Sequence, residues 1–272
     1  DTTRNIIESY DDQRIDMLCL ENNIGQTAAL NVGLKHIETS WVARMDADDY
    51  SSTTRLAKQM RLVTENPSIS CIGTWAWTFR DDPKVIEGEV VTQLNHQDIK
   101  RALLRGSPII HGSLLVKLSA LNDIGGYDER YRYAADVELY DRLLINCISV
   151  NIPEQLLGIR RHSSQGAHTT LALDEGIEIL SKRLCDERYS SDDVKIIKLS
   201  LAGALVIRAR RLLGKRQFIQ MVKELLSAGQ ISQVGLMFGL FRYFIGYTVP
   251  ERQRARLRTF LVNTGLSKRP NN

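Results

Sequence analysis

The alternation of short apolar runs with amphipathic stretches in the first half of the chain constrains its fold most strongly. Runs of strand type at residues 15–20, 41–45 and 69–79 alternate with helix-type segments at 26–37 and 53–64. Further strand candidates cover residues 85–91 and 114–116, and further helix candidates cover 98–104 and 136–145. Short connections between alternating strands and helices are typical of an α/β sandwich. We therefore expect helices on both faces of a mostly parallel sheet.

The second half of the chain differs in character, because almost every segment from about residue 171 is compatible with a helix. Breaks are expected near Ser190, Gly214, Gly229 and Pro250. An apolar segment at 234–249 is interrupted by Arg242 and is shorter than the roughly 20 residues that span a bilayer, which favours a packed or interfacial helix. We predict an α/β domain over residues 1–165 and a basic, all-helical region over residues 166–272.

The net charge of +4 conceals an asymmetry between these regions. Residues 200–272 contain 13 Lys or Arg and two acidic residues, whereas residues 1–199 contain 23 basic and 30 acidic residues. Basic clusters beside amphipathic helices favour anionic membrane surfaces, although a solvated helical bundle explains them equally well. Nucleic acid is not expected as a partner, because neither a recognisable binding module nor interleaved aromatic residues accompany the charge.

The four cysteines lie far apart in apolar or helical contexts. Neither a CxxC nor a CxxH pair occurs, which disfavours a zinc knuckle. Scattered cysteines of this kind are typical of reduced thiols in a cytosolic core. We therefore expect a cytoplasmic protein, held peripherally on the inner membrane face if its basic helices bind lipid.

An acidic loop directly follows the strand-type run at 41–45, where the sequence reads Asp46-Ala-Asp48-Asp49. Ligands of open α/β sheets collect beyond the carboxyl ends of the strands, and Mg²⁺ takes one or two protein carboxylates together with phosphate oxygens. Asp is also favoured in turns and at helix starts, which accounts for Asp49 better than for Asp46. The loop is thus a candidate site for a metal ion and a diphosphate, with an ordinary turn as the alternative.

Motifs around this loop resemble, in order, the central part of a family 2 glycosyltransferase of the GT-A type. They are Asn23-Ile-Gly25, Ala29-Leu-Asn31-Val-Gly33, the acidic loop, and Arg55-Leu56 at the start of a helix that ends in Asn66-Pro67. The likeness continues through residues 108–113, 125–128 and 135–143, and covers about residues 1–165. It implies a Rossmann-like, nucleotide-diphospho-sugar transferase fold, with a mixed sheet sandwiched by helices.

The resemblance also implies roles for individual residues on the donor side. Asp46 and Asp48 match the motif that binds Mg²⁺ or Mn²⁺ and the donor diphosphate, and Asp49 is an additional candidate metal ligand. Asn31 and Arg44 are expected to contact the nucleotide-sugar donor; Arg44 would compensate for Leu30, which stands where the family often has Arg. His162 would be a further metal ligand, with a plain turn histidine as the alternative.

On the acceptor side, Asp136 matches the catalytic base of an inverting single displacement. A helix cap is the structural alternative for this residue, and the two roles are compatible. Glu138 is the second candidate for the base, and His111 would lie near the acceptor or the sugar. A hydrogen-bonded histidine at a strand start explains His111 equally well.

The front of the chain departs from the family pattern, because Asp1-Thr2-Thr3 resembles the end of the loop after the second strand. We therefore expect the first strand and helix of the fold, with the residues that read the nucleotide base, to be missing. The sequence favours a glycosyltransferase of cell-surface polysaccharide assembly, acting on a glycan or lipid-linked acceptor. A nucleotidyltransferase of the same fold and a non-catalytic binding domain remain the alternatives.

Overall fold

The computed structural model describes residues 2–162, 170–214, 217–233 and 236–237. The helices in chain order are α1 (Thr3–Glu8), α2 (Gln26–Leu34), α3 (Arg55–Glu65), α4 (His96–Leu103), α5 (Leu118–Asp123), α6 (Ala135–Asn146), α7 (Thr170–Leu184), α8 (Ser191–Gly214) and α9 (Phe218–Ile231). The strands are β1 (Trp41–Ala43), β2 (Tyr50–Ser51), β3 (Ile69–Phe79), β4 (Gly88–Val90), β5 (Leu115–Lys117) and β6 (Ile148–Arg160).

The strands form one mixed sheet in the order β1-β5-β3-β6-β2, with β4 paired to β3. β3 and β6 run parallel, and the other described pairs, which join β1 to β5, β3 to β5, β3 to β4 and β2 to β6, are antiparallel. The predicted mixed sheet is confirmed, but the expectation that it would be mostly parallel is wrong. Strands of two or three residues carry no pattern from which their direction could have been read.

The long strand β3 lies at the centre of the core, and its neighbouring residues Cys71 and Ile72 are both fully buried. Successive side chains of a strand point to opposite faces of the sheet. Cys71 packs with residues of α4 and α6, among them Ile99 and Leu139. Ile72 belongs to a second cluster, against which Leu62 of α3 packs. Helices therefore cover both faces of the sheet, as predicted.

The apolar run at 15–20 was predicted as a strand, and this prediction is wrong. The run is irregular, and Ile15, Leu18 and Leu20 are 45%, 43% and 42% exposed. An apolar run becomes a strand only where another strand pairs with its backbone, and no described strand does so here. The structure also contains α1, α5 and the long strand β6, which were not predicted from the sequence.

The C-terminal region is helical as far as the structure describes it. α7, α8 and α9 pack around buried residues such as Leu201, Ala202 and Ala228. α9 ends at Ile231, two residues after Gly229, which confirms a break near this glycine. Most of the apolar segment 234–249 and all of the basic cluster at 252–258 fall outside the described residues. None of the helices within the described ranges is both long and apolar enough to cross a membrane.

The four cysteines are free thiols, as expected. Cys71 and Cys147 are buried, whereas Cys19 and Cys185 are exposed, which corrects the expectation that all of them lie in the core. Cys19 is exposed because it lies in the unpaired run at 15–20, and Cys185 because it follows the end of α7.

Candidate functional site

The acidic loop connects β1 and β2, the strands at opposite ends of the described sheet order, and therefore crosses one end of the sheet. The backbone N–H of Arg44 donates to the carbonyl of Leu114 (2.8 Å), which continues the pairing of β1 beyond its last residue. The N–H of Asp49 donates to the carbonyl of Asp46 (3.3 Å) and closes the turn. The carboxylates of the loop thus lie where a ligand of the sheet is expected.

Arg44 and Asp46 form a two-point ion pair at the start of the loop, in which both guanidinium Nη atoms donate to the carboxylate. The Arg44 side chain is 8% exposed, and its Nε has no hydrogen-bond partner. Gln26 Nε2 approaches Asp46 from α2, with a donor distance of 3.4 Å. Asp46 therefore lies against a buried positive charge that is fixed in place.

The other two aspartates of the loop contact the end of β6. Asp48 Oδ2 lies 2.9 Å from His162 Nε2, and both side chains are partly exposed. Asp49 Oδ1 accepts the backbone N–H of Arg160 (3.1 Å). Burial raises the pKa of Asp49 to about 6, the N–H bond from Arg160 opposes this shift, and the neighbouring carboxylates Asp46 and Asp48 raise the pKa further.

Arg55 supports the loop from α3, a role that was not predicted from the sequence. This buried side chain donates from Nη1 to the carbonyl oxygens of Gly112 (2.6 Å) and Arg44 (3.3 Å). Its pKa is lowered by burial and raised by the charge of Asp49. Arg55 therefore links the acidic loop to the turn that contains His111. The sequence marks Arg55 only as part of the Arg55-Leu56 motif at a helix start, which does not reveal burial.

The predicted metal ligands Asp46, Asp48, Asp49 and His162 come together in part. Within the described ranges, no group of three or more His, Cys, Asp or Glu side chains is arranged to hold a metal ion. The structure brings Asp48 and His162 into contact at the exposed rim of the loop, whereas Asp46 faces Arg44. A Mg²⁺-type ion needs only one or two protein carboxylates when phosphate and water complete its shell. The residues present therefore fit a shared metal–diphosphate site better than a closed protein cage.

Asp136 lies in the first turn of α6 and is partly buried. Burial raises the pKa of this carboxyl, while the Ser107 hydroxyl, the N–H groups of Val137 and of Asp136 itself, and then the charge of Arg44, oppose the shift. The carboxylate thus lies at the helix start and is poorly solvated. A carboxylate with a raised pKa is suited to accept a proton.

Asp136 and the acidic loop are linked electrostatically through Arg44 and Tyr127. The positive charge of Arg44 lowers the pKa of both Asp136 and Asp49. The pKa of the buried Tyr127 hydroxyl is raised mainly by burial, the charge of Arg44 opposes this shift, and the charges of Asp136 and Asp46 both add to it. The predicted base and the predicted donor loop therefore act on the same two side chains.

His111 lies beside Tyr127 and is hydrogen-bonded, as one of the two interpretations predicted. Its Nε2 is 2.8 Å from the hydroxyl of Tyr127, and its ring packs edge-on against Tyr140. Burial, and then the charge of Arg44, lower the pKa of His111 well below its ordinary value. The imidazole is consequently neutral near pH 7, so it can contribute hydrogen bonds but not charge.

Asn31 and Glu138 form structural contacts in addition to the roles predicted for them. Asn31 Oδ1 accepts the N–H of Tyr127 (2.9 Å), and Nδ2 donates to the carbonyl of Tyr127 (2.9 Å). Glu138 pairs at two points with Arg142, one turn further along α6, at 2.6 Å each. The expected contacts of Asn31 with the donor and of Glu138 with the acceptor stay predictions.

Comparison with known proteins identifies similar sequences and folds. The family model described as "Glycosyl transferase family 2" matches residues 1–125. The UDP-Gal:alpha-D-GlcNAc-diphosphoundecaprenol beta-1,3-galactosyltransferase of Escherichia coli is 30% identical over 142 residues, which are 52% of this chain and 51% of that protein. The O-antigen biosynthesis glycosyltransferase WbnJ of Escherichia coli is 30% identical over 171 residues, 60% of this chain and 64% of that protein.

The chain spans about half the length of the first curated relatives that it matches. Among solved structures, the mannosyltransferase PcManGT from Pyrobaculum calidifontis, in complex with GDP-Man and Mn2+, superposes with a TM-score of 0.54 at 15% identity. The superposition covers 97% of this chain and 72% of that chain. This likeness shows the fold, and it confirms the predicted mixed sheet flanked by helices.

Proposed function

The chain belongs to glycosyl transferase family 2 through residues 1–125, and from this premise we propose that the protein transfers a sugar from a nucleotide-sugar donor to a glycan or lipid-linked acceptor. The observation that carries the proposal is the position of Arg44. This buried cation pairs with Asp46 in the acidic loop, and its charge also acts on Asp136. These two effects support our proposal that a site for a diphosphate and a site for a base lie side by side, as a single displacement requires.

The acidic loop would receive the diphosphate of the donor. Asp48 with His162, and Asp46 beside Arg44, would hold a divalent cation together with the phosphate oxygens. When bound, Mg²⁺ or Mn²⁺ would supply positive charge against the departing nucleoside diphosphate. Arg44 adds a cation that is fixed by burial, and a preorganised charge of this kind stabilises the charge that develops on a leaving group.

Asp136 would act as the base. Its carboxylate would accept the proton of the acceptor hydroxyl as that oxygen forms a bond to the anomeric carbon. The bond between this carbon and the donor phosphate breaks in the same step, and the configuration inverts. Burial favours this role, because a carboxylate with a raised pKa is a stronger base at neutral pH. His111, which is neutral, would orient the acceptor or the sugar through hydrogen bonds.

The acceptor class is inferred from the names of the relatives. One acts in O-antigen biosynthesis, and another is named for a diphosphoundecaprenol-linked acceptor. We propose an acceptor of the same class, a lipid-linked saccharide used in cell-surface polysaccharide assembly, with the reaction on the cytoplasmic side of the membrane. The basic residues of the C-terminal region would then bring the protein to the anionic surface that carries the acceptor.

The test is release of nucleoside diphosphate from a panel of UDP- and GDP-sugars by the full chain, with Mg²⁺, with Mn²⁺ and with a chelator. We expect metal-dependent release that the double substitution Asp46→Asn with Asp48→Asn abolishes. Asp192→Asn is the control, because this carboxylate is 80% exposed in the first turn of α8 and pairs with Lys195 of the same helix. Release that persists in the double variant would refute the metal assignment. Release of pyrophosphate from nucleoside triphosphates would instead identify a nucleotidyltransferase.

A further inference from the structure

Glu175 of α7 makes an unusual contact with the segment that leads into α6. Its carboxylate accepts three consecutive backbone N–H groups, those of Arg132 (3.0 Å), Tyr133 (2.8 Å) and Ala134 (2.7 Å). Glu175 is only 6% exposed. Asp136 follows two residues after the last of these N–H groups.

The contact fixes the segment just before α6 rather than the first turn of the helix. Ala134 occupies the N-cap position of α6, and an alanine side chain cannot accept a hydrogen bond. A capping side chain would accept the N–H of the second or third helical residue, whereas Glu175 binds the N–H of the N-cap residue and of the two residues before it. One negatively charged group from another helix therefore holds three consecutive N–H groups at the point where the chain enters α6.

The same segment is also fixed from its other side. The buried hydroxyl of Thr27, in α2, donates to the carbonyl of Tyr131 (2.7 Å). Asn31, one turn later in α2, binds both backbone polar groups of Tyr127. The connection from α5 to α6 is therefore held between α2 and α7, although it has no regular secondary structure over most of its length.

We propose that Glu175 is a positioning residue, which fixes the backbone at the start of α6 and thereby sets the position of the Asp136 carboxylate. The inference rests on the proposed function, because it takes Asp136 as the base. Glu175 acts through the backbone and does not itself contact the substrates in this proposal. It assigns a catalytic consequence to α7, a helix that the sequence analysis placed in the separate basic region.

The main variant for testing this is Glu175→Gln in the full chain. Glutamine has nearly the same shape, but one oxygen becomes an NH₂ group that faces an N–H donor, so at least one of the three hydrogen bonds is lost. Glu178→Gln is the matched control. It lies on the same helix, its side chain is 55% exposed, and it contacts Lys182 and the hydroxyl of Tyr131 but not these backbone groups.

Two measurements separate the parts of the proposal. Amide hydrogen exchange of residues 132–134 reports the hydrogen bonds to Glu175, and we expect about ten-fold faster exchange in Glu175→Gln and no change in Glu178→Gln. Steady-state kinetics report the position of the base. We expect kcat to fall by roughly 10- to 100-fold while the KM for the donor is unchanged, because the acidic loop is anchored on β1 and β6 rather than on α7.

Each outcome supports or overturns a defined part of the inference. Unchanged exchange in Glu175→Gln would show that the carboxylate does not hold these N–H groups. Faster exchange with wild-type kcat would show that the hydrogen bonds to Glu175 do not position the base. A similar rise in KM and fall in kcat would indicate general loss of structure and would also contradict positioning. If the folded wild-type chain releases no nucleoside diphosphate from any donor, the proposed function fails, and the catalytic role of Glu175 fails with it. The exchange result for residues 132–134 would still report the contact of Glu175 in that case.

Discussion

Arg183, two turns after Glu175 in α7, offers the most quantitative test of how the C-terminal region is attached. Its side chain is 3% exposed and pairs through Nε with Asp141 of α6, at 2.8 and 3.1 Å. Its Nη1 also donates to the carbonyl of Leu103 (2.8 Å), at the end of α4. We predict that Arg183→Met destabilises the whole α/β domain and not α7 alone.

The expected magnitude follows from what the substitution leaves behind. The Asp141 side chain is 15% exposed and would keep one described donor, the hydroxyl of Tyr189 (3.2 Å). Removing one partner of a buried ion pair costs about 3–5 kcal/mol, because the other charge stays buried without compensation. A protein of this size loses about 2–4 °C of Tm for each kcal/mol, so a decrease of roughly 6–20 °C is expected.

The assays are thermal unfolding for Tm and urea unfolding for the free energy of unfolding. Both are followed by tryptophan fluorescence, which reports the α/β part because Trp75 and Trp77 lie in β3. Lys182→Met is the matched control: it makes a similar change at the adjacent position, where the ion pair with Glu178 is 55% exposed on both sides. We expect this control to cost no more than about 1 kcal/mol.

A third variant separates the stranded charge from loss of packing. Replacing both partners, Arg183→Met with Asp141→Leu, removes the unpaired carboxylate, and buried pairs exchanged for apolar residues are often neutral in stability. We therefore expect the double variant to recover most of the free energy of unfolding lost in Arg183→Met. Two results would refute this prediction. One is a loss of unfolding free energy in Arg183→Met no larger than in the Lys182→Met control. The other is a loss in the double variant equal to the sum of the losses in Arg183→Met and Asp141→Leu.

Three further predictions concern the candidate site. Asp136→Asn should lower kcat by about 10²–10⁴-fold with little loss of stability. In the wild type, the acidic limb of the pH–rate profile should lie above the ordinary pKa range of Asp, because the raised pKa lets the base become protonated at a higher pH; stopped assays over a pH series measure both effects. Asp49→Asn should be more stable relative to the wild type above pH 6 than at pH 4, because the folded-state pKa of about 6 makes the wild type lose stability as the pH rises through this range. Thermal melts of both proteins at several pH values measure the difference in Tm, and a difference that does not change with pH would contradict the prediction. Gly126→Ala should destabilise the protein by more than the roughly 1–2 kcal/mol expected for an L-residue in the left-handed region, since the φ of Gly126 is +72° and a Cβ there would lie 2.7 Å from Asn31 Oδ1. Gly125→Ala should show the backbone cost alone, because its φ is +75° and no atom lies within 4 Å of the added Cβ; equal melting temperatures of the two variants would refute the steric contribution.

Patterns within short stretches predicted much of this fold. β3 was predicted with its exact bounds, and α2, α3, α4 and α6 were predicted to within a few residues, because each presents an apolar face at the helical or strand period. Strand direction and pairing depend on residues far apart in the sequence, so the antiparallel β5 and the run at 15–20 were misjudged. The 13-residue strand β6 went unpredicted although it pairs with β3 along its length.

The candidate site shows the same division between local and distant information. The acidic loop and Asp136 were predicted from ordered motifs; in the structure Arg44 pairs with Asp46, and its charge also acts on Asp136. The ion pair between Arg44 and Asp46 was not expected, because a charge two residues before a carboxylate can face it or face away, depending on how the strand ends. The burial of Arg55 depends on the turn at 111–113, which lies more than fifty residues away.

The boundary predicted near residue 165 rests on composition. The contacts that cross it show that α7 packs against the α/β domain. Glu175 binds the start of α6, Ile179 packs beside Tyr131 and Ala134, and Arg183 binds Asp141. These contacts run from the segment just before α6 to the middle of that helix, so α7 runs alongside the helix that carries the proposed base. The next two helices instead bury their apolar residues mainly among themselves and against α7.

A chain that ended near residue 165 would leave three N–H groups, a buried carboxylate and the Leu103 carbonyl without these partners. Each buried polar group left without a partner costs about 1–3 kcal/mol. Composition therefore separates the basic region from the α/β domain, whereas hydrogen bonding assigns α7 to the structure that supports the site.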